Sequence, residues 1–361
     1  MESDRRVPDL KRRAAIKTVA AGTFGLGIGL FNSRPLRAAK SVPVRIASDF
    51  SPVPGLVPHV HKEFMDLLTE FSKGEFDPKF FGSSTLGNQL ETLQKVQLGT
   101  IEVANFSTSN LSAYVPFYAA LDFPYVTGGE SGGLAAIENA LKITRAKAFA
   151  EVADKTAQEK GFRVGFLTPV GVRNVGFRKG FRNEVRVPEQ IKGAKIRVTG
   201  SPVERKIFEV LGVAGSNVPW TETPPAVQTG VIDAIHNGAI AIVAFNFHPI
   251  LGSVTATNFF PELNLYVASQ KWYAGLPPHL QAAFTSATNA AGEIQLAELR
   301  KSHERAVATI RQAGAAYVEP SASDYAKWYD LVNYKKEFWE PLIKNAVGDT
   351  ETFRRIMGKT V

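Results

Sequence analysis

The 361-residue chain contains no cysteine, which excludes disulfides, a lipid-modified cysteine anchor and thiolate chemistry. After residue 39 there is no apolar run of about 18 residues, so nothing there reads as a membrane-spanning helix and this part is expected to be soluble. Enzyme signatures are missing too. There is no Gly-x-Ser-x-Gly elbow and no phosphate-binding loop ending in Lys-Ser/Thr. The six histidines are scattered. His59 and His61 stand two apart, on different faces of an expected helix, and do not suit a shared metal ion. No internal repeat and no low-complexity segment is present. Neither a metal nor a cofactor is therefore expected.

The formal net charge of +8 is less informative than its distribution. Residues 1–39 hold eight Lys/Arg and three Asp/Glu, leaving +3 for the rest. That is too little basicity to predict a nucleic-acid partner. The same stretch carries Arg5-Arg6 and Arg12-Arg13, an uncharged run over 18–31 and a small-residue exit at Arg37-Ala38-Ala39. These features predict an export signal, and the paired arginines predict the twin-arginine route to the periplasm. Ala15 stands where such signals usually carry an aromatic residue. Gly25-Leu26-Gly27-Ile28-Gly29 looks like a dinucleotide-binding turn, but it follows no strand and lies inside the leader. Cleavage near Ala38 or Ala39 leaves about 322 residues, enough for two domains.

Repeated strand–helix alternation predicts an α/β fold. Strands are expected at 42–47, 76–81 and 101–106, with helices over 57–72 and from Asn88 to about 98. Asn88 and Glu91 have capping-box spacing. A helical stretch follows over 133–160, and 162–167 is expected to open a second sheet. Further on come short strands at 171–177 and 194–198, a helix over 203–211, and a turn held by Pro224-Pro225. A strand over 262–268, a long helix over 278–312, a strand at 315–318 and a closing helix over 325–345 complete the pattern.

The central stretch is Gln190-Ile191-Lys192-Gly193-Ala194-Lys195-Ile196-Arg197-Val198. Gly193 permits a tight turn. Ile196 and Val198 share one face of the following strand, which turns Lys195 and Arg197 to the other. Arg197, just before Gly200-Ser201-Pro202, offers five fixed donors to a carboxylate, either a ligand's or the protein's own. Arg173, Trp220, His236 and Asn237 lie near strand ends within the same region. The Ser84 loop and the polar loop Ser107-Thr108-Ser109-Asn110 after the third strand lie at the corresponding position in the first part of the chain, where open sheets bind ligands, and Glu91 is a further candidate in that part. Phe177 and Trp220 suit either a core or a binding platform, and His236 has no acid partner visible in the sequence.

Three blocks resemble the solute-binding proteins of tripartite ATP-independent periplasmic (TRAP) transporters, the DctP family. The first has Leu86-Gly87, Glu91, Val96-Gln97-Leu98-Gly99-Thr100-Ile101-Glu102 and Phe123-Pro124-Tyr125. The second is Pro188-Glu189-Gln190-Ile191-Lys192-Gly193-Ala194-Lys195-Ile196-Arg197-Val198. The third joins Glu222 to Val227-Gln228-Thr229-Gly230-Val231-Ile232-Asp233 and Asn237. The resemblance implies that Arg197 makes the paired contact with a substrate carboxylate, that Arg173 assists and that Asn237 reaches the ligand. It departs from the family pattern at Thr223-Pro224-Pro225-Ala226, Ala234 and His236, all bordering the expected cleft.

The implied fold is a two-lobe periplasmic binding protein (type II-like), with hinge strands and a long C-terminal spanning helix. The expected division is a leader at 1–39, lobe I at 40–166 and 251–300, lobe II at 167–250, and a helical segment packing across the lobes at 301–361. The implied role is capture of an organic acid for TRAP membrane permease subunits. A receptor feeding a sensor and an exported enzyme on the same fold are the alternatives.

Overall fold

The computed structural model describes residues 41–51, 60–182 and 184–359. The export leader expected over 1–39 lies outside them, as does His59.

The strands, in chain order, are β1 (Val42–Ala47), β2 (Phe76–Phe81), β3 (Val103–Ser107), β4 (Phe162–Val172), β5 (Asn174–Arg178), β6 (Lys195–Arg197), β7 (Ala214–Ser216), β8 (Ala234–Asn237), β9 (Leu251–Thr255), β10 (Pro261–Ser269) and β11 (Ala316–Val318). The helices are α1 (Val60–Phe71), α2 (Gln89–Leu98), α3 (Thr108–Leu111), α4 (Gly133–Arg145), α5 (Lys147–Glu159), α6 (Pro202–Val210), α7 (Thr223–Gln228), α8 (Ala239–Ala244), α9 (Gln270–Ala274), α10 (Pro278–Gln312), α11 (Ala322–Val332), α12 (Glu340–Val347) and α13 (Thr350–Ile356).

Local chemistry explains several boundaries. At α2, Asn88 Oδ1 accepts from the backbone of Leu90 and Glu91, at 3.0 and 3.1 Å. Glu91 Oε2 in return accepts from the Asn88 backbone at 3.1 Å, completing a capping box. Gly193 has φ +79° and nothing within 4 Å of the position of a Cβ, so backbone conformation alone demands glycine at the turn before β6.

Two sheets form. The first has the order β2-β1-β3-β10-β4 and the second β11-β9-β5-β8-β6-β7. In the first, β1 runs parallel to β2 and β3, while β10 pairs antiparallel with β3 and β4. In the second, β6 is parallel to β7 and β8, and β5 is antiparallel to β8 and β9. The chain crosses between sheets at Arg173 and again over 256–260. Helix α10 packs on α1 and β4 on one side and on α8 and β11 on the other. This is the two-lobe fold with crossing strands and a long spanning helix.

The last helices bridge both halves. Trp328 is fully buried and donates from Nε1 to Arg186 O at 2.7 Å. Trp339 packs edge-on against Phe123 at 5.5 Å, and the Tyr334 backbone donates to Pro124 O at 3.0 Å. Burying aromatics of this size stabilises each by about 1.5–3 kcal/mol.

Some expectations need correction. Strand β4 does not open the second sheet: it pairs along its length with β10 in the first, a partnership 89 to 107 residues away that no local pattern reveals. The sheets therefore divide later in the chain than 167 and 251, with 167–172 in the first and 251–255 in the second. The helical stretch over 133–160 breaks at Ala146, which is extended (ψ 137°), and the closing helix over 325–345 is two helices, α11 and α12, interrupted at Asn333, with α13 following beyond Gly348. Pro224-Pro225 opens α7 instead of holding a turn, because the first helical residues have no partner for an N–H.

Candidate functional site

Strand direction brings the polar groups together. Parallel β3 ends at Ser107 and β1 at Ala47, two residues before Asp49, and antiparallel β10 starts beside them, with Asn264 opposite Ser107. In the other sheet, β6 and β8 end at Arg197 and Asn237, with the first residue of β5, Asn174, opposite Asn237. The strand ends face one another across a cleft, where open sheets place ligands. A cavity of about 200 Å³ lies over Arg197, Trp220, Asp49, Gln89 and Asn110. Behind it a space of about 20 Å³, room for one water, reaches Arg173, Ser107, Asn237 and Glu262. Two larger hollows elsewhere have no such concentration of buried charge.

The two arginines differ. Arg173 is held: Nη1 donates to His236 O at 2.7 Å and Nη2 to Ser107 Oγ at 3.3 Å. Glu204 and Glu262 stand 3.7 and 3.6 Å from it. Burial pulls its pKa down, but the carboxylates of Glu262, Glu204 and Asp122 together carry it above the ordinary value. Arg197 is 4% exposed, donates from Nε to Val218 O at 3.0 Å, and lies 4.9 Å from the centre of the Trp220 ring. It makes no ion pair within 4.0 Å among the described residues. Burial brings its pKa down to about 10, so it remains a cation at neutral pH. Of the two uses open to it in the sequence, a protein carboxylate partner is not the one found.

Behind the cleft, Glu204 ties the second lobe together. Its Oε2 accepts from the Thr199 backbone at 2.7 Å and from the Thr199 hydroxyl, and its Oε1 lies 2.7 Å from His236 Nδ1. Burial alone would raise its pKa, but Arg173, His236 and Thr199 hold it at about 2. Burial lowers His236 despite Glu204. The neutral imidazole thus donates from Nδ1 to an ionised carboxylate.

Direct bonds join the lobes. Gly200 donates to Asn110 Oδ1 at 2.9 Å, and Gly238 donates to Glu262 Oε2 at 2.6 Å. Gly238 is required here by close approach: a Cβ would stand 2.6 Å from Glu262 Oε2 and 3.1 Å from Val170 O.

Arg197, Arg173, Asn237, Trp220 and Ser107 are therefore assembled in one place. Glu91 sits on the rim, its carboxylate engaged in the capping box. Two expected residues are elsewhere. Strand alternation turns His236 away from the cleft, and it is fully buried among Phe208, Phe259 and Phe260. Phe177 is also fully buried and stacks on Phe181 at 5.6 Å. Asp49, Glu204 and Glu262 were missed. The strand-end rule that selected Ser107 could have found Asp49, whereas Glu204, two helical residues after Pro202, reads locally as an ordinary first-turn carboxylate.

The profile of DctP, "Bacterial extracellular solute-binding protein, family 7", spans residues 57–340. The chain belongs to this family. It is 26% identical over 257 residues to the 2,3-diketo-L-gulonate-binding periplasmic protein YiaO of Escherichia coli, covering 71% of this chain and 75% of that one. It is 25% identical over 328 residues to the C4-dicarboxylate-binding periplasmic protein DctP of Vibrio cholerae, covering 90% and 93%. Among solved structures, the sugar acid binding protein of Advenella mimigardefordensis in complex with galactonate superposes with a TM-score of 0.79 at 20% identity, covering 88% and 97%. A TRAP periplasmic solute-binding protein of Sulfurospirillum deleyianum with bound succinate gives 0.78 at 19%, covering 89% and 100%. These structures share the DctP-family fold described above. The family and these structural neighbours are binding proteins.

Proposed function

We propose that the chain is an extracytoplasmic receptor that captures a small organic acid between its lobes and delivers it to the membrane permease of a TRAP transporter. Arg197 carries this reading: a buried guanidinium, cationic at neutral pH and without a carboxylate partner among the described residues, beside a cavity of small-molecule dimensions. Withdrawing a carboxylate from water costs several kcal/mol unless it is paired and hydrogen-bonded. A bidentate guanidinium offsets that cost best. Arg173, already held by Glu204 and Glu262, organises the cleft from behind. Asn237, Trp220 and Ser107 complete the ligand's surroundings.

The bonds from Asn110 to Gly200 and from Glu262 to Gly238 exist only while the lobes are together, so they supply a closed state for the permease to recognise. The His236–Glu204 pair has the composition of an acid–base couple, but it is sealed from the cleft and out of reach of a ligand's protons. That favours binding without turnover. The paired arginines of the leader favour folding before export to the periplasm.

The test is thermal unfolding of residues 40–361 against a panel of organic acids. At least one acid should raise the melting temperature and be recovered chemically intact. An acid transformed on incubation, or a melting temperature indifferent to every acid, would contradict the receptor reading.

A further inference from the structure

Asp49 lies two residues beyond the end of β1, 7% exposed, and lines both chambers of the cleft together with Arg197. Its Oδ2 accepts from Gln89 Nε2 at 2.5 Å. Its Oδ1 is buried and has no hydrogen-bond partner among the described residues. The neighbouring amides do not supply one. Gln89 Oε1 accepts from the Ser107 backbone and from Asn110 Nδ2, at 3.2 and 2.6 Å, while Asn110 Oδ1 accepts from Gly200. A carboxylate oxygen left in this position calls for a donor.

Resting on the receptor reading above, we propose that Asp49 selects an acid with one carboxylate and one hydrogen-bond donor, a hydroxyl or an ammonium group, and rejects dicarboxylates. The ligand's carboxylate pairs with Arg197 and its donor group meets Asp49 Oδ1. A second ligand carboxylate placed there would face a buried carboxylate of like charge, and the other buried guanidinium, Arg173, is already shared between Glu204 and Glu262. An acid without any donor would leave Oδ1 unpaired on closure, the situation that site-built hydrogen bonding discriminates against most strongly. Burial lifts the Asp49 carboxyl to about 6, opposed by the Gln89 amide, adjacent backbone N–H groups and Arg197, so it is ionised at neutral pH.

Four-carbon probes isolate the effect. Butanoate, its 2-, 3- and 4-hydroxy and amino derivatives, and succinate are titrated into the wild type, Asp49→Asn and Arg197→Ala at pH 7.5. The wild type should bind at least one hydroxy or amino acid about tenfold or more tighter than butanoate, with succinate weaker than that acid by a similar factor. Asp49→Asn keeps an oxygen for Gln89 but loses the charge, so it should narrow both gaps about tenfold. A larger loss for the amino than for the hydroxy derivatives identifies an ammonium as the natural donor, and equal losses identify a hydroxyl. Succinate binding the wild type as tightly as any hydroxy or amino acid overturns the proposal, as does a ranking that Asp49→Asn leaves unchanged. In either case Arg197-dependent binding leaves the receptor reading standing; if no probe or other organic acid binds through Arg197, both fall.

Discussion

His236 Nδ1 lies 2.7 Å from Glu204 Oε1, and both side chains are fully buried behind the cleft. The contact joins the end of β8 to the first turn of α6, and the same carboxylate fixes the Thr199 backbone two residues after Arg197. Glu204 is thus the link between the strand end that carries Arg197 and the layer that carries Arg173. Glu204→Gln should destabilise the ligand-free protein by about 3–5 kcal/mol, because Arg173 and the Thr199 N–H lose an ionised partner in a buried setting. Urea denaturation measures it. A change below about 1 kcal/mol would mean that the cluster relaxes or admits water.

The buried acids also set the response to pH. Glu204 is held at about 2, below its ordinary 4.5, so its contribution of about 3 kcal/mol is present above pH ~4.5 and lost as pH falls toward 2. Asp49 and Asp122 run the other way. Burial lifts them to about 6 and about 7, so their contribution is complete below pH ~4 and disappears as pH rises through those values. The melting temperature of the ligand-free protein should therefore peak near pH ~4 and fall toward neutrality. Glu204→Gln should flatten the acid side alone. A melting temperature still climbing from pH 5 to 8 would contradict this assignment.

Closure has a steric test at Gly238. An alanine there places a methyl group against Glu262 Oε2 and Val170 O, contacts made across the lobes near the crossing strands. Its φ of −77° accepts any residue, so each lobe should fold normally. Gly238→Ala should lower ligand affinity about tenfold or more and leave scattering profiles more open with ligand present. An unchanged affinity would mean that the two lobes close without this approach.

Trp220 covers one face of the Arg197 guanidinium and packs against Phe247 at 4.5 Å. Removing the ring exposes the cation to water and forfeits about 0.5–2 kcal/mol of cation–π attraction. Trp220→Leu should weaken acid binding about threefold to thirtyfold by calorimetry. Equal affinity in the variant would assign Trp220 to the core of its lobe only.

Much of the fold was legible because local chemistry decides it. The Asn88–Glu91 capping box, the Gly193 turn and the limits of β2 and α10 all follow from neighbouring residues. Placement of β10 between β3 and β4 is decided by pairing partners far along the chain, which is why local pattern places β4 in the wrong sheet. The site divides in the same way. Arg197 and Asn237 stand out as polar groups at strand ends. His236 fails because adjacent strand positions face opposite sides, and the register that settles which side only exists once β5 and β6 are paired on β8. Glu204 is a first-turn helix carboxylate in sequence, and only the tertiary contact with His236 and Arg173 gives it another role.

The most direct measurement is calorimetric titration of the acid identified by melting into the wild type, Arg197→Ala and Arg197→Lys. If Arg197 receives the carboxylate, alanine should lower affinity by a factor of about a hundred or more. Lysine should recover only part of it, since a point charge cannot reproduce the paired contact. All three proteins should melt within a few degrees of one another without ligand, because Arg197 has no carboxylate partner among the described residues to lose. Full affinity in Arg197→Ala, with ligand-free stability reduced, would make Arg197 a structural residue and contradict the account.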